Sequence, residues 1–599
     1  MSAFANALFL RKRAFRFSWV AGFFVVLATA FLTGCSSHEQ RADLVLLNGA
    51  EPESIDPQIL SGQPDGRVGG SLFEGLLQFD AKTGDPIPAI AERYDVSPDG
   101  ITYTFHLRTN ALWSTGERIT AEDFVWSWRR ALAPETAADY AGQLFYIRNA
   151  EAYCTGKTNA ATGKRYTPED VAVKALNDRT LRVDLVAPTA FFPDICACWV
   201  MKVVPVKAIQ KYGDRWVRAP GVPFSGAFVL ESWTVNDRIR TRKNPFYWNA
   251  ANVHLEVVDW LPYSEPTLNI NAFLRGDGDV IFDKRRVPAE LIDVLRQKPY
   301  THGFNVLATF FYRYNVTRKP FDNPRVRKAL AMAVDKRRIV ERITRGGELT
   351  ATHLTPPGIS GYEPPQGVTF DPEGARKLLA EAGFPGGKGF PLFRFLTPAT
   401  VQAQQTAVEL RDMFERELGV HMELQPIEWK VFLRQQSQTN YDLSYSSWIG
   451  DYKDPNTFLD MFMERNGNNR TGWASPRYDE LMREANSQVD KSKRALLMRQ
   501  AETVLVLDEL PIVPLYFEKG LTFYDPEKIE GIYPNLIDEH PIWSIRVKKG
   551  RTSRVESRTQ EVRSADGHVR TNASSLRPSP ESTFTQHADV TVRAPLAPD

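Results

Sequence analysis

The amino-acid sequence predicts a mixed α/β (α+β) protein divided into two or three lobes. Three observations carry that expectation. Strand-like and helix-like runs alternate through residues 43–548. The chain's 599 residues exceed what one hydrophobic core supports. Composition is that of a globular protein, 43% hydrophobic and 24% charged, which excludes wholesale disorder, collagen and coiled coil.

The elements follow in chain order. Strands are expected at Leu44–Leu47, Thr102–Leu107, Leu181–Leu185 and Ile512–Phe517, where β-branched, aromatic and apolar residues cluster or alternate. Helices are expected at Ala121–Ala131, Pro324–Ile343, Pro372–Ala382, Gln402–Leu418 and Lys491–Leu507, where apolar residues recur at helical spacing. Thr120 precedes the acidic pair Glu122 and Asp123, an N-cap arrangement. Asp371 before Pro372 places a capping carboxylate ahead of proline at the first helical position. Residues 549–599 are rich in Ser, Thr, Arg and Pro without apolar periodicity and read as a disordered tail. No internal repeat is evident.

The N-terminus addresses the compartment. Arg11, Lys12, Arg13 and Arg16 form a cationic start, and an apolar run extends from Phe17 to Leu32. It ends in Leu32-Thr33-Gly34-Cys35, which resembles a bacterial lipobox. The resemblance implies a signal peptide over 1–34, a lipid on Cys35 and a polar tether over 35–42. The alternative, a transmembrane anchor with an incidental Cys, requires about 20 apolar residues, and the run is short for that. Removing residues 1–34 removes four positive charges and no negative ones, taking the net charge from +2 to −2. The near-neutral balance, 74 Lys+Arg against 72 Asp+Glu, argues against nucleic acid as a partner.

A search for enzymatic or metal chemistry finds little. No two of the nine His lie four residues apart, so no zincin-like pair exists. His106, inside an alternating strand, reads as a satisfied sheet residue. Gly386-Gly387-Lys388-Gly389 lacks the Ser or Thr of a phosphate loop and reads as a turn. Gly358-Ile359-Ser360-Gly361 has the wrong spacing for a nucleophile elbow. The protein is expected to be no enzyme and to hold no cofactor or metal. Cys196-Ala-Cys198 has no second pair to make a zinc site. Cys154 pairs with either of them in one reading; all three stay reduced in the other.

Residues 102–131 run from a strand through the turn at Ser114-Thr115-Gly116 into an amphipathic helix whose apolar face is Phe124, Val125 and Trp128. This block resembles the signature of the solute-binding proteins of peptide ABC transporters, in the oligopeptide-binding branch. Asn48 to Pro57, Leu72 to Leu77, Arg242 to Asn249, Phe321 to Arg327, Trp429 to Leu433 and Trp448 to Tyr452 agree in order, so the resemblance covers about 43–548. It implies a bilobed periplasmic-binding-protein-like clamp of type II with an extra subdomain in the first lobe. Subdomain I would be 43–72, 200–306 and 514–548, subdomain II 73–199, and lobe III 307–513, with the chain crossing near 307 and 514.

The resemblance also implies a site. An extended peptide pairs its main chain with protein edges, Ser61-Gly62-Gln63 on one side and Ser447, Trp448 and Ile449 on the other. Asp451 meets the peptide ammonium; on its own, Asp451-Tyr452-Lys453-Asp454-Pro455 would read as a polar turn. Tyr140, Trp429 and Trp448 align with cleft residues, and Asp283 with a position that bonds peptide. The sequence departs where relatives in this branch place bases for the peptide carboxylate: Gln436 and Tyr445 occupy those positions, the segment around Ala403 lacks His or Lys, and Arg434 is displaced. A disulfide of the family aligns with Ala308 and Ile449, so both partners are missing together. The implied partners are oligopeptides, the permease subunits of an ABC importer and a membrane reached through lipid on Cys35. The protein is expected to be a monomer in the periplasmic or extracytoplasmic cell envelope. Rival readings are the same fold binding a cell-wall peptide, a metal chelate or a haem, and a non-transport lipoprotein with an enzymatic or chaperone role.

Overall fold

In a computed structural model of the protein, residues 41–60, 62–464 and 466–548 are described, with the side chains of Trp429 and Lys430 excepted. The signal peptide, Cys35 and most of the tether expected at 35–42, together with Ser61 and the 549–599 tail, lie outside the described residues. Leu44 opens a compact unit that carries every element below; of the shorter unit before it, residues 41–43 are described and hold no helix or strand.

A mixed sheet of eleven strands organises that unit. Its order is Met422–Ile427, Phe393–Pro398, Leu443–Ile449, Thr301–Tyr314, Ile512–Tyr524, Val280–Ile281, Leu44–Leu47, Val257–Leu261, Arg238–Lys243 and Phe228–Thr234, with the short Leu349–Thr350 strand added beside Ile512–Tyr524. Leu44–Leu47 is buried along its whole length because it is flanked in parallel by Val257–Leu261 and Val280–Ile281, which explains its unbroken apolar run. The two longest strands, Thr301–Tyr314 and Ile512–Tyr524, pair antiparallel, and their register shifts between Asn305 and Thr309. At that break Leu307 N–H donates to Leu536 O at 2.7 Å, and Gly450 N–H donates to Leu307 O at 2.6 Å.

A second, antiparallel sheet of four strands runs Ala91–Val96, Thr102–Leu107, Thr180–Asp184, Val173–Asn177. Tyr103, Phe105 and Leu107 alternate inward from Thr102–Leu107. Helix Ala121–Leu132 shares their core through Phe124, Val125 and Trp128. Each of these side chains contributes roughly 1.5–3 kcal/mol by leaving water. Thr120 and Asp123 form a full capping box at the helix start.

Packing divides into three core regions. One collects residues from 76 to 203, plus Tyr452 from far along the chain. A second joins the strands near the N-terminus to residues 204–300 and 521–545. A third is built from residues 307–516.

Several expectations are corrected in detail. The single helix expected over 324–343 is broken: Pro324–Met332 ends, Asp335 caps a new turn by accepting from Arg337 N–H at 3.1 Å, and Lys336–Ile339 passes into a wide turn at Val340–Thr344. A capping carboxylate offers the backbone an alternative to its own ladder. The Lys491 helix stops at Thr503, followed by a wide turn over Val504–Asp508. The strand from Ile512 continues to Tyr524, because it pairs with the Thr301–Tyr314 strand throughout. Gly62 is extended, but Gln63 is already helical, with Pro64 in the first turn, so 62–63 form no strand.

His106 lies in its strand with Nε2 at 2.7 Å from Asp95 Oδ2. Cys154, Cys196 and Cys198 are free thiols. Ala308 and Ile449 face each other in register, so the spacing of a cross-strand pair is kept without the cysteines. Among the described residues no helix is long and apolar enough to cross a membrane.

Candidate functional site

The site is built where the Leu443–Ile449 strand runs out. Along its length it pairs with Thr301–Tyr314, but on its other edge it meets Phe393–Pro398 only at Leu443 and Ser444. Gln436 extends the cover a little further: its Nε2 donates to Tyr445 O and to the Ser444 and Ser446 hydroxyls, each at 3.0 Å. From Ser447 to Ile449 that edge carries no strand among the described residues, and Ser447 and Ile449 are exposed. An unpaired edge of this kind is a template for an added strand.

This edge faces a cavity of about 1090 Å³, at the top of the range for ligand pockets. Gly62, Gln63, Tyr140, Asp283, Ser447, Trp448, Ile449 and Asp451 all line it. The structure thus brings together eight of the ten residues singled out from the sequence. Of the other two, Ser61 lies outside the described residues, and Trp429 opens helix Trp429–Ser437 with its side chain outside them.

Asp451 is two residues past the strand. Its N–H donates to Thr457 Oγ1 at 3.1 Å, which fixes the turn, while its carboxylate has no bonded partner among the described residues and opens into the cavity. Surrounding protein withdraws water from that carboxyl and pushes its pKa up to about 6. Tyr140 lies close by; burial and then the charge of Asp451 push its hydroxyl up. Cys198 Sγ is 3.8 Å from Asp451 O. Trp448 keeps its Nε1 buried without a partner among the described residues.

Asp283 is placed differently. It is buried, and its Oδ1 accepts from Arg285 N–H at 2.9 Å and Nε at 3.1 Å, capping the turn Lys284–Arg286. Burial pushes its carboxyl up, but the adjacent Arg285, its N–H and Arg67 prevail and hold it below the usual range. Gln63 accepts from Arg67 Nη2 at 2.9 Å. Gly66 keeps this helix against Trp199, another cavity residue: a Cβ there would lie 2.2 Å from the indole.

Further cavity residues had not been singled out: Asp139, Asp460, Arg67, Arg285, Arg286 and His540. The basic run 284–286 is visible in the sequence, yet nothing in it says that Lys284 points away. Lys284 Nζ lies 2.6 Å from Glu348 Oε1 and also pairs with Glu518. At the positions where bases were missing, Gln436 is buried and bonded, and Tyr445 is buried with its hydroxyl 3.3 Å from that of Tyr516. Neither offers a cation.

The residues after Asp451 pack against the core of residues 76–203. Tyr452 stacks on Phe191 (4.5 Å between rings, 2° apart) and buries itself in the core of residues 76–203. Its hydroxyl is 3.4 Å from that of Tyr146. Lys453 donates to Thr83 O at 3.0 Å and pairs with Asp85. Among the described residues no group of three or more His, Cys, Asp or Glu is arranged to hold a metal.

Comparison with known proteins agrees with this architecture. The sequence model of bacterial extracellular solute-binding proteins, family 5 (middle region), matches residues 85–470. The periplasmic oligopeptide-binding protein OppA of Salmonella typhimurium is 35% identical over 79% of this chain and 87% of its own. A probable deoxycholate-binding periplasmic protein of Escherichia coli, YgiS, is 32% identical over 80% and 88%. The crystal structure of a periplasmic oligopeptide-binding protein from Borrelia burgdorferi superposes with a TM-score of 0.71 at 30% identity, covering 85% of this chain and all of that one. The fold is therefore the bilobed type II clamp, and its role is binding rather than catalysis. The chain belongs to the bacterial extracellular solute-binding proteins of family 5.

Proposed function

We propose that this protein captures oligopeptides outside the cytoplasm and delivers them to an ABC importer, anchored to the membrane by lipid on Cys35 and acting as a monomer. The observation that carries the peptide reading is the 447–449 edge, unpaired among the described residues, ending two residues before a carboxylate with no partner among them. The edge offers main-chain hydrogen bonds indifferent to sequence, and Asp451 offers a charge-assisted bond to the ammonium. Gly62 and Gln63 bound the cavity and Tyr140 and Trp448 furnish wall, Ser61 and Trp429 are added as ligand contacts on the resemblance alone, and Asp283 acts on the ligand through the arginines it holds. Subdomains I and II and lobe III take the boundaries expected from the sequence, with hinges near 307 and 514. The three packing cores and the register break after Asn305 support that division. The named relatives, two of them oligopeptide-binding and one a probable deoxycholate binder, make peptide the first ligand to try and the bile acid its control.

The test is calorimetry of the purified protein with tetra-alanine, N-acetyl-tetra-alanine and deoxycholate. Tetra-alanine should bind. Acetylation, or Asp451→Asn, should weaken it at least a hundredfold, about 3 kcal/mol, as expected for stranding one partner of a buried pair. A bound ammonium favours the ionised carboxylate, so the complex has the lower Asp451 pKa. Affinity should therefore be level above the free pKa of about 6 and fall as pH drops through it. Between pH 7 and 5 the loss is about tenfold. Equal binding of the acetylated peptide would remove Asp451 from this role, and binding of deoxycholate in place of peptide would overturn the reading.

A further inference from the structure

The cavity is charged unevenly. The carboxylates of Asp451, Asp139 and Asp460 have no cationic partner among the described residues, and Asp451 is perturbed by burial alone. The lysine and arginine side chains that line the described cavity are Arg67, Arg285 and Arg286. All three rise from the region holding Asp283: Arg67 from helix Gln63–Leu72, the others from the turn that Asp283 caps.

Donor accounting shows how much of this group is unused. A guanidinium carries five N–H donors in a planar fork suited to a carboxylate. Arg285 commits its Nε to Asp283 and leaves its terminal nitrogens in an exposed side chain. The Arg286 guanidinium makes no hydrogen bond among the described residues; its Nε is buried, 3.8 Å from Asp283 Oδ2. Arg67 commits Nη2 to Gln63 and lies 5.6 Å over the Phe282 ring. His540, with a side chain 3% exposed, also lines the cavity; it turns Nε2 to Asp538 at 3.1 Å and keeps Nδ1 without a partner among the described residues. Asp538 and Glu539 line the cavity too and set negative charge against the arginines; burial pushes the Glu539 carboxyl up. Buried donors of this kind are costly unless something bonds them. Gln436 and Tyr445, at the positions where relatives place bases, are buried and carry no positive charge.

We infer that Arg285 and Arg286, backed by Arg67 and positioned by Asp283, bind a carboxylate of the peptide and so select ligands that present one away from their ammonium. This rests on the peptide reading. The carboxylate has two possible sources, the peptide C-terminus or an acidic side chain, and Asp283 is a positioning residue in either case.

Calorimetry of the wild-type protein with four forms of Ala-Ala-Glu-Ala separates the sources: free acid or C-terminal amide, each with Glu or Gln at the third position. We expect at least a tenfold loss when the relevant carboxylate is removed. A loss on amidation assigns the C-terminus, and a loss on Glu→Gln assigns the side chain. In Arg285→Gln/Arg286→Gln that loss should vanish, while the loss on N-acetylation remains. Equal binding of all four forms to the wild type would overturn the inference with peptide capture intact, as would a carboxylate dependence that survives in the double variant. Absence of binding by every form would overturn the peptide reading, and this inference with it. The wild-type comparison needs no variant, so a misfolded double variant leaves the inference open to refutation.

Discussion

The two sides of the cavity are held by different physics. At its back, Thr301–Tyr314 and Ile512–Tyr524 run side by side, and backbone ladder bonds continue on both sides of the Asn305–Thr309 break. Lys284 reinforces this side from within, between Glu348, whose side chain is fully buried, and Glu518. Beyond Asp451, contact with residues 76–203 rests on a few side chains: the Tyr452–Phe191 stack, the Lys453–Asp85 pair and the Tyr146 hydroxyl. The paired strands are buried and continuous, so separating them means unfolding. The contacts beyond Asp451 are discontinuous and worth about 1 kcal/mol each, so in the proposed clamp they are the ones that would break on opening. Asp451, proposed to meet the ligand, is adjacent to Tyr452, which makes the stack.

This contrast can be broken at either side. Lys284→Met should have the largest effect, and on stability. It strands the carboxylates of Glu348 and Glu518, a loss of about 3–5 kcal/mol, visible as a lower denaturant midpoint. A midpoint unchanged from wild type would show that the triad does not secure the back. Tyr452→Ala should act on ligand capture instead. It removes a buried ring from the contact that the proposed closure uses, so peptide affinity should fall about 10- to 100-fold. The midpoint should shift less than for Lys284→Met; the reverse ranking would erase the distinction between the paired strands and the contacts beyond Asp451. Lys453→Ala should matter least, under about fivefold in affinity, because Asp85 is more than half exposed and screened. A larger loss would make this ion pair, rather than the aromatic stack, the main closure.

Much of the framework was legible in the sequence because it depends on local chemistry. Thr120 with Asp123 announces a capped helix, and Asp371-Pro372 another, since capping is decided within one turn. The alternation of Tyr103, Phe105 and Leu107 gives the strand its inward face. The site was legible in part: the stretch 447–451 stands at the cavity as the resemblance implied, although its chemistry alone would pass for a polar turn. Less legible were places where a local signal competes with a distant partner. The helix from Pro324 breaks where Asp335 caps a new turn, and Lys336 then reaches Ala351 O at 2.7 Å. The strand at Ile512 outruns its apolar core because a long partner keeps pairing with it.

The sequence by itself determined the composition class, much of the alternation of elements and the caps, and these follow from side-chain chemistry within a few residues. The candidate peptide-site residues came from the resemblance, not from local chemistry. Tertiary structure decided direction. Of three consecutive basic residues, Lys284 turns to the buried Glu348 and Arg285 and Arg286 line the cavity. Asp283 spends its carboxylate on Arg285, and Asp451 keeps its own unbonded among the described residues. Tyr452 joins a core whose other members lie between residues 76 and 203. No spacing rule encodes these choices, because each is set by which distant carboxylate, carbonyl or ring the fold brings within reach.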